Sequence, residues 1–277
     1  MEKFRWQFRN DDENQASNQI ESNRNLGRNA IQAADKLEPT DFLTEVNNYF
    51  IEKIQSKEYS DLMDPVVQKL DTHTVESINE GFSMWGKATS YREIAEFLAD
   101  AIGMKTPTVK NFTVPKEEKH KYPTALFDDN EYAISFFIDE QKKATDNEDV
   151  NTFLKSVEMI AHEMWHAYQH NEVQNKGERA GIYKQKQKFT AEEIKDPTTY
   201  LKYIKQPIET EAYVFGKKFS IQFAKILKEL LEEKYTENMG TIDEEDPWSV
   251  ADTEHTKNQL KAIENFLNKD IPITINS

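Results

Sequence analysis

Read on a helix, His162-Glu163-Met164-Trp165-His166 puts two imidazoles on one face, because residues four apart are stacked neighbours, with a carboxylate beside the first. Two ring nitrogens so placed can grip a divalent metal. Zinc takes imidazole nitrogen at about 2.0–2.1 Å, and catalytic zinc keeps three protein ligands and leaves its fourth position to water. His162 and His166 would supply two of the three, and Glu163 reads as a base able to take that water's proton. The competing explanation is polar decoration on an amphipathic helix. With six histidines in 277 residues, an accidental occurrence is uncommon, which favours the metal reading.

A third ligand must come from elsewhere. The extended motif, with Gly three residues and His six residues after the second His, fails at Gln169 and Glu172. His170 shares the face but lies about 12 Å from His162 by helical rise, too far for one ion to join both. It reads instead as a solvated residue at the helix end. Downstream, Pro207 starts a second long helix that carries Glu209 and Glu211 in its first turns.

With these residues the chain resembles the gluzincin, thermolysin-like zinc metallopeptidases, in which a glutamate on a second helix completes the zinc shell. Compact bacterial members often carry Glu-x-Glu-Ala with the first glutamate as ligand, matching Glu209-Thr210-Glu211-Ala212. The resemblance implies a zincin-like fold, Zn2+ held by His162, His166 and Glu209, Glu163 as general base, and hydrolysis of a peptide or protein substrate. Where members often have Asp or Asn four residues after the ligand, this chain has Tyr213, and its gap from His166 to Glu209 exceeds that of the smallest members. Periodicity alone leaves Glu211 as the alternative third ligand, since both glutamates flank the apolar arc of Ile208, Ala212, Phe215, Phe219 and Ile226. Family members hold the oxyanion with a tyrosine or histidine. Tyr200 is the candidate here, against core packing in a short helix, the reading preferred for it.

Several elements must position these groups. The metal helix, from about 150 to 169, buries Val150, Phe153, Leu154, Val157, Ile160, Ala161, Met164, Trp165 and Tyr168 along one stripe. Before it, the segment 106–114 reads as a strand and 115–122 as a charged loop. Ala125-Leu126-Phe127 and alternating Tyr132, Ile134, Phe136 and Ile138 flank an Asp/Asn cluster, a hairpin signal. The zincin layout makes 132–139 an edge strand that pairs with an extended substrate. Earlier, Phe42, Leu43, Val46, Tyr49, Phe50 and Ile54 follow a cap at Thr40; a second helix opens at Ser60; a third opens at Ser90 with Glu93 and stops at Gly103. Residues 171–206, with Lys176, Arg179, Lys184, Lys186 and Lys188, read as a solvated loop. The second metal-bearing helix should run to about residue 233, followed by an acidic turn over 243–246, an amphipathic helix through Leu260, Ile263 and Leu267, and a short edge strand at Ile271, Ile273 and Ile275.

The expected organisation is a flexible polar leader over 1–38, a helical lobe over 39–105 and a zincin-like metallopeptidase domain over 106–277. The fold class is α+β and mostly helical, with a small mixed sheet packed on the metal helix. A formal charge of −15 argues against nucleic acid and against an anionic membrane, since phosphate recognition needs a positive surface. No run approaches 18 apolar residues and Met1-Glu2-Lys3-Phe4 opens no apolar core of a signal peptide, so a cytoplasmic location is expected. Without cysteine, a transition-metal site here needs His and carboxylate. Two rivals stand beside the peptidase: a catalytically silent binding or regulatory module on the same scaffold, motivated by polar arms at 10–29 and 171–206, and a helical interaction protein carrying the motif by accident.

Overall fold

A computed structural model describes residues 39–85, 87–114, 125–139, 150–187, 189, 193, 196–241 and 247–270. In chain order its elements are α1 (Pro39–Gln55), α2 (Lys57–Val67), α3 (Thr72–Trp85), α4 (Lys87–Ile102), β1 (Thr108–Val114), β2 (Ala125–Asp128), β3 (Ala133–Asp139), α5 (Val150–Gln174), α6 (Ala180–Tyr183), α7 (Pro197–Ile204), α8 (Pro207–Thr241) and α9 (Pro247–Asp270). The chain is α+β, mostly helical with a small mixed sheet. The leader over 1–38, the loop over 115–122, the acidic turn and the terminal strand lie outside the described residues.

Two helices make the frame. On α5 the stripe from Val150 to Trp165 is buried, and on α8 Ala212, Phe215, Phe219, Phe223 and Ile226 form its counterpart. The stripes face each other: Trp165 stacks on Phe215 at 4.3 Å and Phe153 meets Phe223 edge-on at 5.6 Å. α4 packs on α5; α9 packs on α8 with Ile263 and Phe266 in the core; α1, α2 and α3 also lean on α8. Buried side chains from 59–99 and from 125–266 belong to one apolar cluster, so the segments read as lobe and domain share a core.

The two long helices approach tightly at Gly216. A Cβ there would lie 2.5 Å from the carbonyl oxygen of Glu158 and 3.3–3.4 Å from the backbone nitrogen and Cβ of His162. The obstacle is helix backbone, which cannot swing aside. Gly216→Ala is therefore expected to push α8 off α5 beside the histidine. Overpacking costs about 1–3 kcal/mol, of which better helix propensity returns up to about 1 kcal/mol, so the net effect is a destabilisation. Urea unfolding measures it, and an unchanged midpoint would show that the helices have slack.

The sheet order is β1-β3-β2, with β1 parallel and β2 antiparallel to β3. The expected hairpin is there: Asp128 Oδ1 accepts from the N–H groups of Asn130 at 2.9 Å and Glu131 at 3.2 Å, closing the turn. The expected edge role of 132–139 is corrected. β3 is the central strand, its two sides taken by β1 and β2, and the strand lying along α5 is β2. Parallel pairing of Thr108 with Ala133 and onward joins segments more than twenty residues apart, beyond the reach of hairpin signals.

Other boundaries also move. Ser56, not Ser60, caps α2, accepting from Tyr59 N–H at 3.4 Å, while Ser60 lies inside the helix and takes a bond from Lys218. Ser90 does not open a helix: it is buried inside α4, donating to the carbonyl of Ile78 at 3.2 Å. Gly103 does stop α4, with φ at +82° where a side chain would be strained. Helix α3 was not expected, although Asp71 accepts from Thr74 N–H at 2.8 Å as its cap and Val75 and Ile78 are buried at helical spacing. Helix α8 continues past 233 to Thr241.

Candidate metal centre

Helix α5 turns one stripe to the core and leaves His162 and His166 half-buried on another face, their Nε2 atoms 3.1 Å apart. Pro207 opens α8 at the same level, and Glu209, 3 % exposed, brings its Oε2 to 3.7 Å from His166 Nε2. One ligand atom from each of the three lies within 4.8 Å of the others, so the group could hold a metal ion. Tetrahedral ligands at zinc distances stand about 3.3 Å apart, close to these spacings. The donor set of two imidazoles and a carboxylate fits zinc.

Gln169 sets the proton on the second histidine. Its Nε2 donates to the carbonyl of Ile208 at 2.9 Å, leaving Oε1 as the acceptor facing His166 Nδ1 at 2.9 Å. This network assigns the hydrogen to Nδ1 and presents the Nε2 lone pair to the centre. Sequence reading found only that Gln169 breaks the extended motif. The same position, 1 % exposed, joins the His166 ring to the backbone of Ile208, next to Glu209.

Glu163, 8 % exposed, is held by β2: its Oε2 accepts from Phe127 N–H at 2.8 Å. Burial pushes its carboxyl pKa up, and neighbouring His166 and the Phe127 N–H pull part of the way back. One oxygen is thus fixed by strand backbone, in a carboxylate with a raised affinity for protons.

The two glutamates of α8 part company. Glu211, fully buried, takes a short bond from Arg179 Nη2, accepts from Tyr183 Oη at 2.7 Å and from Trp165 Nε1 at 3.3 Å. Its oxygens are used there, and Glu209 is the one brought to the histidines. Residues 171–206 are correspondingly not one solvated loop. α5 continues to Gln174, α6 and α7 follow, Arg179 pairs with Glu211, and Lys186 Nζ stands 3.8 Å from Glu209 Oε1. These partners are 32 and 23 residues upstream of the glutamates, and a charge run carries no signal of them.

His170 is not at a solvated helix end either: its ring sits 5.9 Å from Phe127 and 6.0 Å from Tyr132, within α5. Tyr200 packs on Phe42 in a small satellite cluster, its phenol raised by burial and, more weakly, by the charge of Glu209. Tyr213 sets its ring edge-on to His162 at 4.5 Å, at the position where the resemblance leads one to expect Asp or Asn. Tyr203 lies near Glu209, and burial together with that carboxylate holds its phenol well above the usual range.

Charge in the centre is balanced by contact. Burial alone would raise Glu209, but His166, Lys186 and His162 outweigh it and hold the carboxyl at about 2. Burial and the neighbouring His166 lower His162 to about 3. Burial also disfavours charge on His166, but Glu209 beside it prevails and raises it. In the unfolded chain His162 returns to 6.5, so between pH 6.5 and 3 unfolding takes up a proton that the folded state refuses. With chelator present, stability is expected to fall as pH drops through that window, and further below 4.5 as Glu209 is protonated in the unfolded chain first. The raised His166 acts in the opposite sense: its contribution is present below 6.5 and lost above. Glu163, raised by burial, acts against the fall above 4.5, so denaturation midpoints across pH are compared between wild type and His162→Gln; parallel profiles from 6.5 to 4 would contradict a neutral His162.

Among the described residues no helix is long and apolar enough to cross a membrane. Comparison with protein-family models, curated proteins and solved structures finds no match to this chain.

Proposed function

We propose that the chain is a zinc-dependent metallopeptidase of zincin type. The observation that carries the reading is the convergence of His162, His166 and Glu209 from two helices, with Glu163 fixed beside them by a strand N–H. Zinc, when bound, supplies a Lewis acid that polarises the scissile carbonyl and makes water acidic near neutral pH. The chain's own residues do the rest. Glu163 takes the proton of the attacking water through the oxygen that Phe127 does not hold, and its raised proton affinity suits it to pass that proton to the leaving amine. Gln169 keeps the His166 ring turned so that Nε2 faces inward. The outer edge of β2, beside Glu163, is where an extended peptide would lie.

The formal charge of −15 supports a peptide or protein substrate over a nucleic acid. The test is metal content of the purified chain together with cleavage of a peptide library, with and without chelator. The reading requires about one zinc per chain and chelator-sensitive cleavage. A chain that takes up no stoichiometric metal overturns it, and a metal-saturated chain that cleaves nothing in the library favours the silent binding module.

A further inference from the structure

Lys186 has no part in the ligand, base and orienting roles above. Its ammonium lies 3.8 Å from Glu209 Oε1, the oxygen other than the one facing His166, and its charge bears on His162, Glu163, His166 and Glu209 alike. A lysine on a loop ordinarily swings on its four-carbon stem. This loop is pinned on both sides. Before Lys186, Arg179 and Tyr183 are bound by Glu211; after it, Gln187 N–H donates to Gln206 Oε1 at 2.7 Å. Both anchors and Glu209 belong to residues 206–211, so the segment that presents the carboxylate also presents the cation. The side chain is 46 % exposed, so the ammonium stays at the mouth of the site, and 3.8 Å is the outer limit of an ion pair.

With the charge of Glu209 taken up by a bound dication, Lys186 faces the site in need of another anion. We propose that Lys186 receives the negative oxygen of the substrate, donating an N–H to the scissile carbonyl oxygen as it becomes an oxyanion; this deepens, and rests on, the hydrolytic reading. The water oxygen bonds to the carbonyl carbon while Glu163 takes its proton, and the π pair of the C=O bond moves to oxygen, where Lys186 donates. When the pair returns, the C–N bond breaks and the amine leaves with the proton from Glu163. Lys186 ends protonated, as it began, and its work is electrostatic.

The experiment compares wild type, Lys186→Met and Lys186→Arg in two readouts. Inorganic phosphate is titrated into the cobalt-loaded chain and followed by the visible cobalt bands, and peptide turnover is measured at saturating zinc. Lys186→Met is expected to keep its metal and to weaken phosphate binding about tenfold or more. Its kcat should fall about 100-fold with KM within about twofold. Lys186→Arg, which keeps the charge, should recover most of both. Unchanged phosphate affinity in Lys186→Met overturns the proposal. So does loss of bound metal from that variant, which would make Lys186 a support for Glu209, and so does a rise in KM alone confined to peptides with a free C-terminal carboxylate. Phosphate binding that depends on Lys186 in a chain that cleaves no peptide supports the anion site and overturns the hydrolytic reading instead.

Discussion

Replacing Glu163 by glutamine is expected to leave zinc bound and to reduce turnover by about 10²–10⁴-fold. The substitution is nearly isosteric, and the amide oxygen can still accept the 2.8 Å bond from Phe127 N–H that fixes the side chain against β2. What it removes is proton affinity. In the native residue burial raises that affinity, placing it nearer the working pH than an exposed carboxylate would be. An amide in the same position can neither take the water's proton nor return it to the amine. Metal content and hydrolysis rate measured on the same preparation decide the matter. Equal rates in both proteins would remove Glu163 from the reaction, and lost metal would make it a structural partner of the ligands.

The second large effect separates two glutamates that differ by two positions. Glu209→Ala should lower metal affinity more than 100-fold, beyond what an outer-shell partner is worth, and leave a folded chain. Glu211→Ala should unfold the protein more easily while taking away no ligand atom. Arg179 would keep its guanidinium in a largely buried place with no carboxylate, and Tyr183 and Trp165 would each lose an acceptor. Leaving one partner of a buried ion pair costs about 3–5 kcal/mol, and the partial exposure of Arg179 argues for the lower end. For a chain of this size that is a melting temperature lower by roughly 6–10 °C. Calorimetry and zinc titration on both variants test the assignment. If Glu211→Ala loses zinc while its melting temperature holds, the two roles have been exchanged.

Much of this centre was legible from local pattern. The spacing of His162 and His166, the stripe that buries the opposite side of α5, and Pro207 ahead of Glu209 are all read within a turn or two of helix. The choice between Glu209 and Glu211 was not. Two residues apart on a helix, they flank the same apolar arc, and what separates them is Arg179 and Tyr183 on one side and the histidines on the other, all distant in sequence. Lys186 was invisible for the same reason: a cation among cations reads as solvated face until the chain folds it back on Glu209. The central place of β3 required knowing that β1 returns to pair with it. Gln169 marked a departure from one motif, and its two hydrogen bonds exist only once α5 and α8 are side by side.

Were α8 to tilt on α5, the tight crossing at Gly216 would be its fulcrum. It lies about 10 Å along the axis from Glu209 and about 37 Å from the far end of α8 at Thr241. A rigid rod tilting about that point would gear motion down: a 1 Å sway at Thr241 would reach the carboxylate as about 0.3 Å. The glutamate therefore sits on the short arm of the lever, sheltered from whatever jostles the long one.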